Sequence, residues 1–127
     1  CQVILNGGIE TAEQVAGQLE QVDGVMIGRA AYHYPYRMAS FDARFYDDDA
    51  QVRTPAQVVE AMVPYIDRQL SLYGAKGLRL QGITRHMLGL MAGLPGARRF
   101  RQILSDASRL SANDPAILLE ALQAVRF

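Results

Sequence analysis

The 127-residue sequence has one cysteine, Cys1, and no tryptophan. A single cysteine excludes an intrachain disulfide and any zinc site built from several thiolates. No apolar run approaches the roughly 20 residues that cross a bilayer, which excludes a transmembrane helix by pattern. There is no low-complexity tract and no internal repeat. With neither a cysteine framework nor a secretory leader pattern, the expected compartment is the cytoplasm. Histidine is scarce: His33 and His86 are the only two. Neither has a serine, cysteine or second histidine at catalytic spacing, so both read as satisfied or exposed side chains. No carboxylate pair forms an acid–base couple, and no residue is assigned a catalytic role.

What is present is a globular composition, half apolar and one-fifth charged. A chain of this length buries roughly two-thirds of its unfolded surface, enough for a core. The formal net charge is zero, but it is divided. Residues 1–75 carry ten acids and five bases, a net of −5, and residues 76–127 carry eight bases and three acids, a net of +5. Seven of those eight bases are arginine, whose planar fork suits phosphate. A polyanionic partner such as nucleic acid is one reading. A solvated helical surface that balances the acidic half is the other.

Val3-Ile4-Leu5 is an apolar run ending at Asn6-Gly7-Gly8, which predicts a buried strand followed by a tight loop. Thr11 and Gln14 form a capping box for the next helix, with Val15 and Leu19 on one face. Val25-Met26-Ile27 then runs into Gly28-Arg29. Strand, helix and strand within thirty residues make a βαβ unit with parallel strands. Two strands and one helix cannot bury themselves, so the chain is expected to be the C-terminal fragment of a larger α/β domain. A helix from Tyr36 to Arg44 fits the spacing of Met38, Phe41 and Phe45. Asp47-Asp48-Asp49 reads as a solvated connector, with no metal site.

From Thr54 the pattern is helical. Thr54-Pro55 caps a helix striped by Val58, Val59, Met62, Val63, Ile66 and Leu70, which Pro64 should kink or split. Leu80 to Met91 forms a second helix. A third, with Pro95 at or just before its start, buries Phe100, Ile103, Leu104 and Ala107. A last helix starts at Asp114-Pro115 with Ile117, Leu118, Ala121, Leu122 and Val125 inward. The expected fold is thus an α/β fragment followed by an all-α domain. Its boundaries are 1–35 for the βαβ remnant, 36–53 for a connector and 54–127 for the helical domain.

Two groups of residues carry the binding chemistry. Asn6, Gly7 and Gly8, with Gly28 and Arg29, follow the carboxyl ends of parallel strands, where α/β folds bind ligands. In a closed eight-stranded barrel the loops after the last two strands commonly hold a phosphate. Glycines let N–H groups approach an anion and Arg29 adds a charged fork; tight turns alone are the simpler account. The second group is Arg85, Arg98, Arg99 and Arg101. Arg98 and Arg99 fall in the first turn of their helix, against its dipole. An RNA backbone would compensate, and two merely exposed arginines are the alternative.

Three stretches resemble a known family: Val3-Ile4-Leu5-Asn6-Gly7-Gly8-Ile9, then Asp23 to His33 with Pro35-Tyr36, and then Ile83 to Arg101. They are similar to the C-terminal portion of tRNA-dihydrouridine synthases, the last stretch most to the bacterial A type. The resemblance runs from Gln2 to about Val125. It implies the last βαβ unit of an FMN-binding TIM barrel and a helical tRNA-binding domain. It implies reduction of a uridine C5–C6 double bond in tRNA, with NADPH reducing the flavin. Asn6, Gly7 and Gly8 match the flavin-phosphate loop after strand seven, and Gly28 and Arg29 the loop after strand eight. Arg85, Arg98, Arg99 and Arg101 fall in the part that contacts tRNA. The family's catalytic cysteine lies on a much earlier loop that Cys1 does not match, so the fragment alone is expected to be inactive. Tyr34 stands where many relatives have asparagine, a departure expected to alter local packing more than cofactor use. Two other readings remain: a non-catalytic RNA-binding or packing module, and a different phosphate-binding FMN barrel oxidoreductase.

Overall fold

The computed structural model describes residues 1–47 and 49–127. They form two compact units, Cys1–Val52 and Arg53–Phe127. Asp48, the centre of the acidic run, lies outside the described residues; Asp47 and Asp49 are exposed.

In the first unit, β1 (Ile4–Asn6) and β2 (Gly24–Met26) pair in parallel, with Ile4 opposite Gly24 and Asn6 opposite Met26. Between them runs α1 (Ala12–Leu19). Its capping box is complete: Thr11 Oγ1 accepts from the Gln14 N–H at 3.2 Å, and Gln14 Oε1 accepts from the N–H groups of Thr11 and Glu10. Ala12 and Val15 are buried beneath it, while Leu19 is largely exposed. Asp23 fastens the strand starts, its carboxylate accepting from the Val3 N–H at 2.7 Å. The strands are not the buried ones expected. Val3, Ile4 and Met26 are 51%, 65% and 48% exposed. Among the described residues each strand has one strand neighbour, and α1 packs against β2.

After α2 (Arg29–His33) the expected helix at 36–44 is replaced by two short turns of different pitch. A 3₁₀ turn spans Pro35–Met38 and a π-helical turn Asp42–Tyr46, in which the Asp47 N–H reaches the Asp42 carbonyl. The aromatic spacing is still used, because Phe41 and Phe45 meet edge to face at 5.3 Å. Residues four apart face each other in either geometry, so that spacing could not discriminate.

In the second unit α3 (Pro55–Tyr73) is capped by Thr54 and Gln57 as a full box. Pro64 does not split it. The carbonyl that Pro64 leaves without its intrahelical donor belongs to Glu60, and both residues are exposed, so it is open to solvent. The rest comprises α4 (Leu80–Thr84), α5 (Ala97–Leu104), α6 (Ala107–Leu110) and α7 (Ile117–Gln123). Their core is Val59, Ile66, Leu80, Met91, Phe100, Leu104, Leu110 and Leu118, each fully or almost fully buried. α7 packs on both α3 and α5.

The helix expected from Leu80 to Met91 ends at Thr84. Beyond it the backbone turns tightly, with the N–H groups of His86, Met87, Leu90, Ala92 and Leu94 each bonding three residues back. Gly93 takes φ +86° within that stretch. Met87, Leu90 and Met91 remain buried, since apolar spacings of three and four serve both pitches. The last helix begins at Ile117, not Pro115: Asp114 Oδ1 takes the Ala116 N–H and holds a tight turn first. Ala107 starts α6 exposed and is not part of the core stripe.

Candidate functional site

The loop after β1 and the start of α2 meet at one cleft of about 560 Å³ in the first unit. Asn6, Gly7, Gly8, Gly28 and Arg29 all line it, with Ile9, Glu10, Met26, Ala30, His33 and Tyr34. Parallel pairing produces this arrangement. It sets the carboxyl ends of both strands side by side, so the two loops leave from one edge.

Gly7 and Gly8 adopt φ +110° and +70°, values that L side chains rarely tolerate. The Gly7 N–H closes the strand pairing toward Met26, and among the described residues the N–H groups of Gly8 and Ile9 have no hydrogen-bond acceptor. A Cβ added at either glycine would meet nothing within 4 Å, so the space beside the loop is open. Gly28 differs. Its φ is −108°, and an added Cβ would meet only the Met26 side chain, at 3.9 Å. Backbone conformation thus demands glycine at the first loop by a reason that does not extend to the second. Arg29 is exposed and has no ion pair among the described residues. Two successive unpaired N–H groups and a free guanidinium form a donor set for an anion of phosphate type.

Composition did not single out Glu10, His33 or Tyr34 as cleft residues. His33 lies edge-on between Tyr32 and Tyr34, at 5.6 and 6.5 Å between centroids. The Arg37 guanidinium stacks over the Tyr34 ring at 4.1 Å and approaches the Glu10 carboxylate at 4.0 Å. Farther along α1, Arg44 bonds Glu13 at 2.8 Å, and that hydrogen bond holds the Glu13 carboxyl below its ordinary value. The two acids Glu10 and Glu13 are therefore answered by Arg37 and Arg44 from the 35–46 segment. Among the described residues no group of acids, histidines or cysteines could hold a metal.

In the second unit the basic residues sort into two kinds. Arg109 donates to Glu120, which raises its pKa, and Arg79 donates to the Gly74 and Leu78 carbonyls. Arg85, Arg98, Arg99 and Arg101 are exposed, and their guanidinium groups have no ion pair among the described residues. At 100° per residue, with Phe100, Ile103 and Leu104 buried, Arg98 points away from the core and Arg99 and Arg101 flank it. α5 opens at Gly96 with no side-chain cap and no acid in its first turn, so Arg98 and Arg99 sit against the helix dipole. Arg85 follows Thr84, whose buried hydroxyl donates to the Leu104 carbonyl at 3.1 Å. That bond joins the end of α4 to the end of α5, one turn beyond Arg101.

Among the described residues no helix is long and apolar enough to cross a membrane. The family model for dihydrouridine synthase matches residues 1–126. Over 121 residues, 95% of this chain, the sequence is 44% identical to a tRNA-dihydrouridine(20/20a) synthase of Vibrio parahaemolyticus. It is 44% identical over 126 residues to the enzyme of that name from Pseudomonas syringae, and 42% over 123 residues to that of Synechocystis. The chain spans about a third of the length of these relatives, 35%, 35% and 36% respectively.

Proposed function

The chain belongs to the dihydrouridine synthase family, and from that premise we propose that it supplies the phosphate end of a flavin site and a tRNA-binding surface. The reaction is reduction of uridine in tRNA, at the positions 20 and 20a that the relatives' names carry. The two parallel strands correspond to the last two of an eight-stranded barrel, whose other strands lie outside these 127 residues. The domain reading is a barrel remnant at 1–35, a connector at 36–53 and a tRNA-binding domain at 54–127, in a cytoplasmic enzyme.

The observation that carries the proposal is the donor set at the strand ends. The unpaired N–H groups of Gly8 and Ile9, with the Gly7 turn and Arg29 beside them, fit the phosphate of FMN in charge and hydrogen-bonding capacity. Asn6 and Gly28 complete the loop edges that face it. The chemistry this cofactor supplies is reduction of the uridine C5–C6 bond, with NADPH as the electron source. The residues of this chain bind and orient; the catalytic acid belongs to chain outside them. Arg85, Arg98, Arg99 and Arg101 position the tRNA through its phosphates and carry little base information.

The test is flavin binding by the complete enzyme that contains these residues. Arg29→Ala should weaken FMN binding about tenfold, the lower end for a hydrogen bond to a charged group, since Arg29 is exposed. Binding of riboflavin, which lacks the phosphate, should not change. Equal FMN affinity in wild type and variant would place the phosphate elsewhere.

A further inference from the structure

A phosphate cleft is expected to exclude carboxylates, yet Glu10 lines this one. It is three residues past Gly7, in the loop that offers the unpaired N–H groups. Its backbone is fixed, because its own N–H is held by Gln14 Oε1 at 2.7 Å as part of the α1 cap. The carboxylate therefore stays near the cleft. An uncompensated negative charge there would oppose a phosphate dianion.

Arg37 answers it. The guanidinium lies between the Tyr34 ring, at 4.1 Å, and the Glu10 carboxylate, at 4.0 Å. Tyr34 and Glu10 both line the cleft, whereas Arg37 does not. Arg37 thus stands behind the lining, where it touches the carboxylate without taking up the ligand space. The Tyr34 ring gives the long arginine side chain a surface to rest on, which lowers the cost of holding it beside Glu10. Asparagine at position 34 would offer no such face. Resting on the reading of the cleft as a phosphate site, we infer that Tyr34, Arg37 and Glu10 form an electrostatic rim that sets its affinity for the phosphate. Arg37 is a positioning residue in this scheme: it cancels Glu10 and does not contact the phosphate.

The side chains of Arg37 and Glu10 are 41% and 67% exposed, so solvent screens the effect and it is modest. An exposed pair of this kind contributes at most about a fivefold change in an equilibrium constant.

The experiment measures FMN and riboflavin dissociation constants for the complete enzyme at low and high salt. It compares wild type, Arg37→Ala, Glu10→Gln, the double variant and Arg29→Ala. Arg37→Ala should weaken FMN binding about two- to fivefold at low salt, and less at high salt. Glu10→Gln should tighten FMN binding by a similar factor, and the double variant should return close to wild type, because the two opposite charges act on the phosphate additively. Riboflavin binding should be unchanged throughout, which also reports that each variant is folded. No tightening by Glu10→Gln, equal losses for FMN and riboflavin in Arg37→Ala, or no effect of Arg37→Ala at all would each overturn the inference. Arg29→Ala separates the two levels. If it too leaves the ratio of FMN to riboflavin affinity unchanged, the phosphate site itself is wrong; if that affinity ratio falls while Arg37→Ala and Glu10→Gln leave it unchanged, only the rim is wrong.

Discussion

Replacing Gly96 by alanine should destabilise the second unit far more than the same change at Gly93. The two glycines share a backbone constraint, with φ +91° and +86°. An L side chain in the left-handed region costs about 1–2 kcal/mol, and alanine returns about 0.4–1 kcal/mol by stiffening the unfolded chain. Those terms are common to both sites. The surroundings are not. A Cβ at Gly93 meets nothing within 4 Å. A Cβ at Gly96 would overlap the Ala124 carbonyl oxygen and come within 2.8 Å of its carbon and 2.9 Å of Val125 Cα. These are backbone atoms that cannot rotate aside. Residues 124–126 must lift, which exposes Val125, now 7% exposed, and breaks the Arg126 N–H bond to the Pro95 carbonyl. Burial of a valine contributes about 1.5–3 kcal/mol and such a hydrogen bond about 0.5–1.5 kcal/mol. Gly96→Ala should therefore be less stable than Gly93→Ala by about 2–4.5 kcal/mol. Urea unfolding followed by far-ultraviolet circular dichroism reads the difference, because the long helices lie in this unit. Coincident unfolding curves for the two variants would refute the reasoning, by showing that the 124–126 segment yields at no cost.

Two further outcomes follow from charge. The double variant Arg98→Ala/Arg101→Ala should lower the log–log salt slope of tRNA binding by about 1.4–1.8 if each arginine meets one phosphate; an unchanged slope with folded protein would move the RNA footprint off α5. Asp106 is held below the ordinary aspartate value, first by the Ser108 hydroxyl; desolvation opposes this as the next largest effect, and the N–H groups of Arg109 and Ser108 add to the lowering. Its contribution to stability is therefore present above the unfolded-state pKa and lost as the pH falls through the folded one. The stability gap between wild type and Asp106→Asn should shrink on acidification, and thermal unfolding at neutral and acidic pH would contradict this if the gap stayed constant.

Much of the local architecture was legible because it is written in short-range chemistry. Thr11 with Gln14 and Thr54 with Gln57 each satisfy N–H groups within four residues, so their sequence pattern is their structure. The parallel pairing was legible from two apolar runs joined by one helix. The pitch of 36–46 and of 85–94 was not, since apolar spacings of three and four fit α, 3₁₀ and π turns alike. Strand burial failed for another reason: Val3 and Ile4 carry the signature of a two-sided environment that one helix and one strand do not provide. In the cleft, the glycines and Arg29 announced themselves by type and position. Glu10 did not, because a carboxylate one residue before a helix cap looks like ordinary first-turn acidity. Only Arg37 and Tyr34, more than twenty residues away, give it another meaning.

The N-terminus of α4 shows when the arginine face comes into being. This five-residue helix has no cap of its own, and the Leu80 N–H is accepted by Asn113 Oδ1 at 3.0 Å, from 33 residues downstream. Asn113 itself sits at φ +53°, a conformation asparagine tolerates better than most residues. A helix so short cannot nucleate alone. Its other end is fastened by Thr84 to Leu104, a partner 20 residues away. Arg85 thus takes its place only after the chain through Asn113 has folded back, so a partly synthesised unit would display arginines but no ordered array. On the tRNA-binding reading proposed above, assembly of the unit and joint presentation of its arginines become a single event.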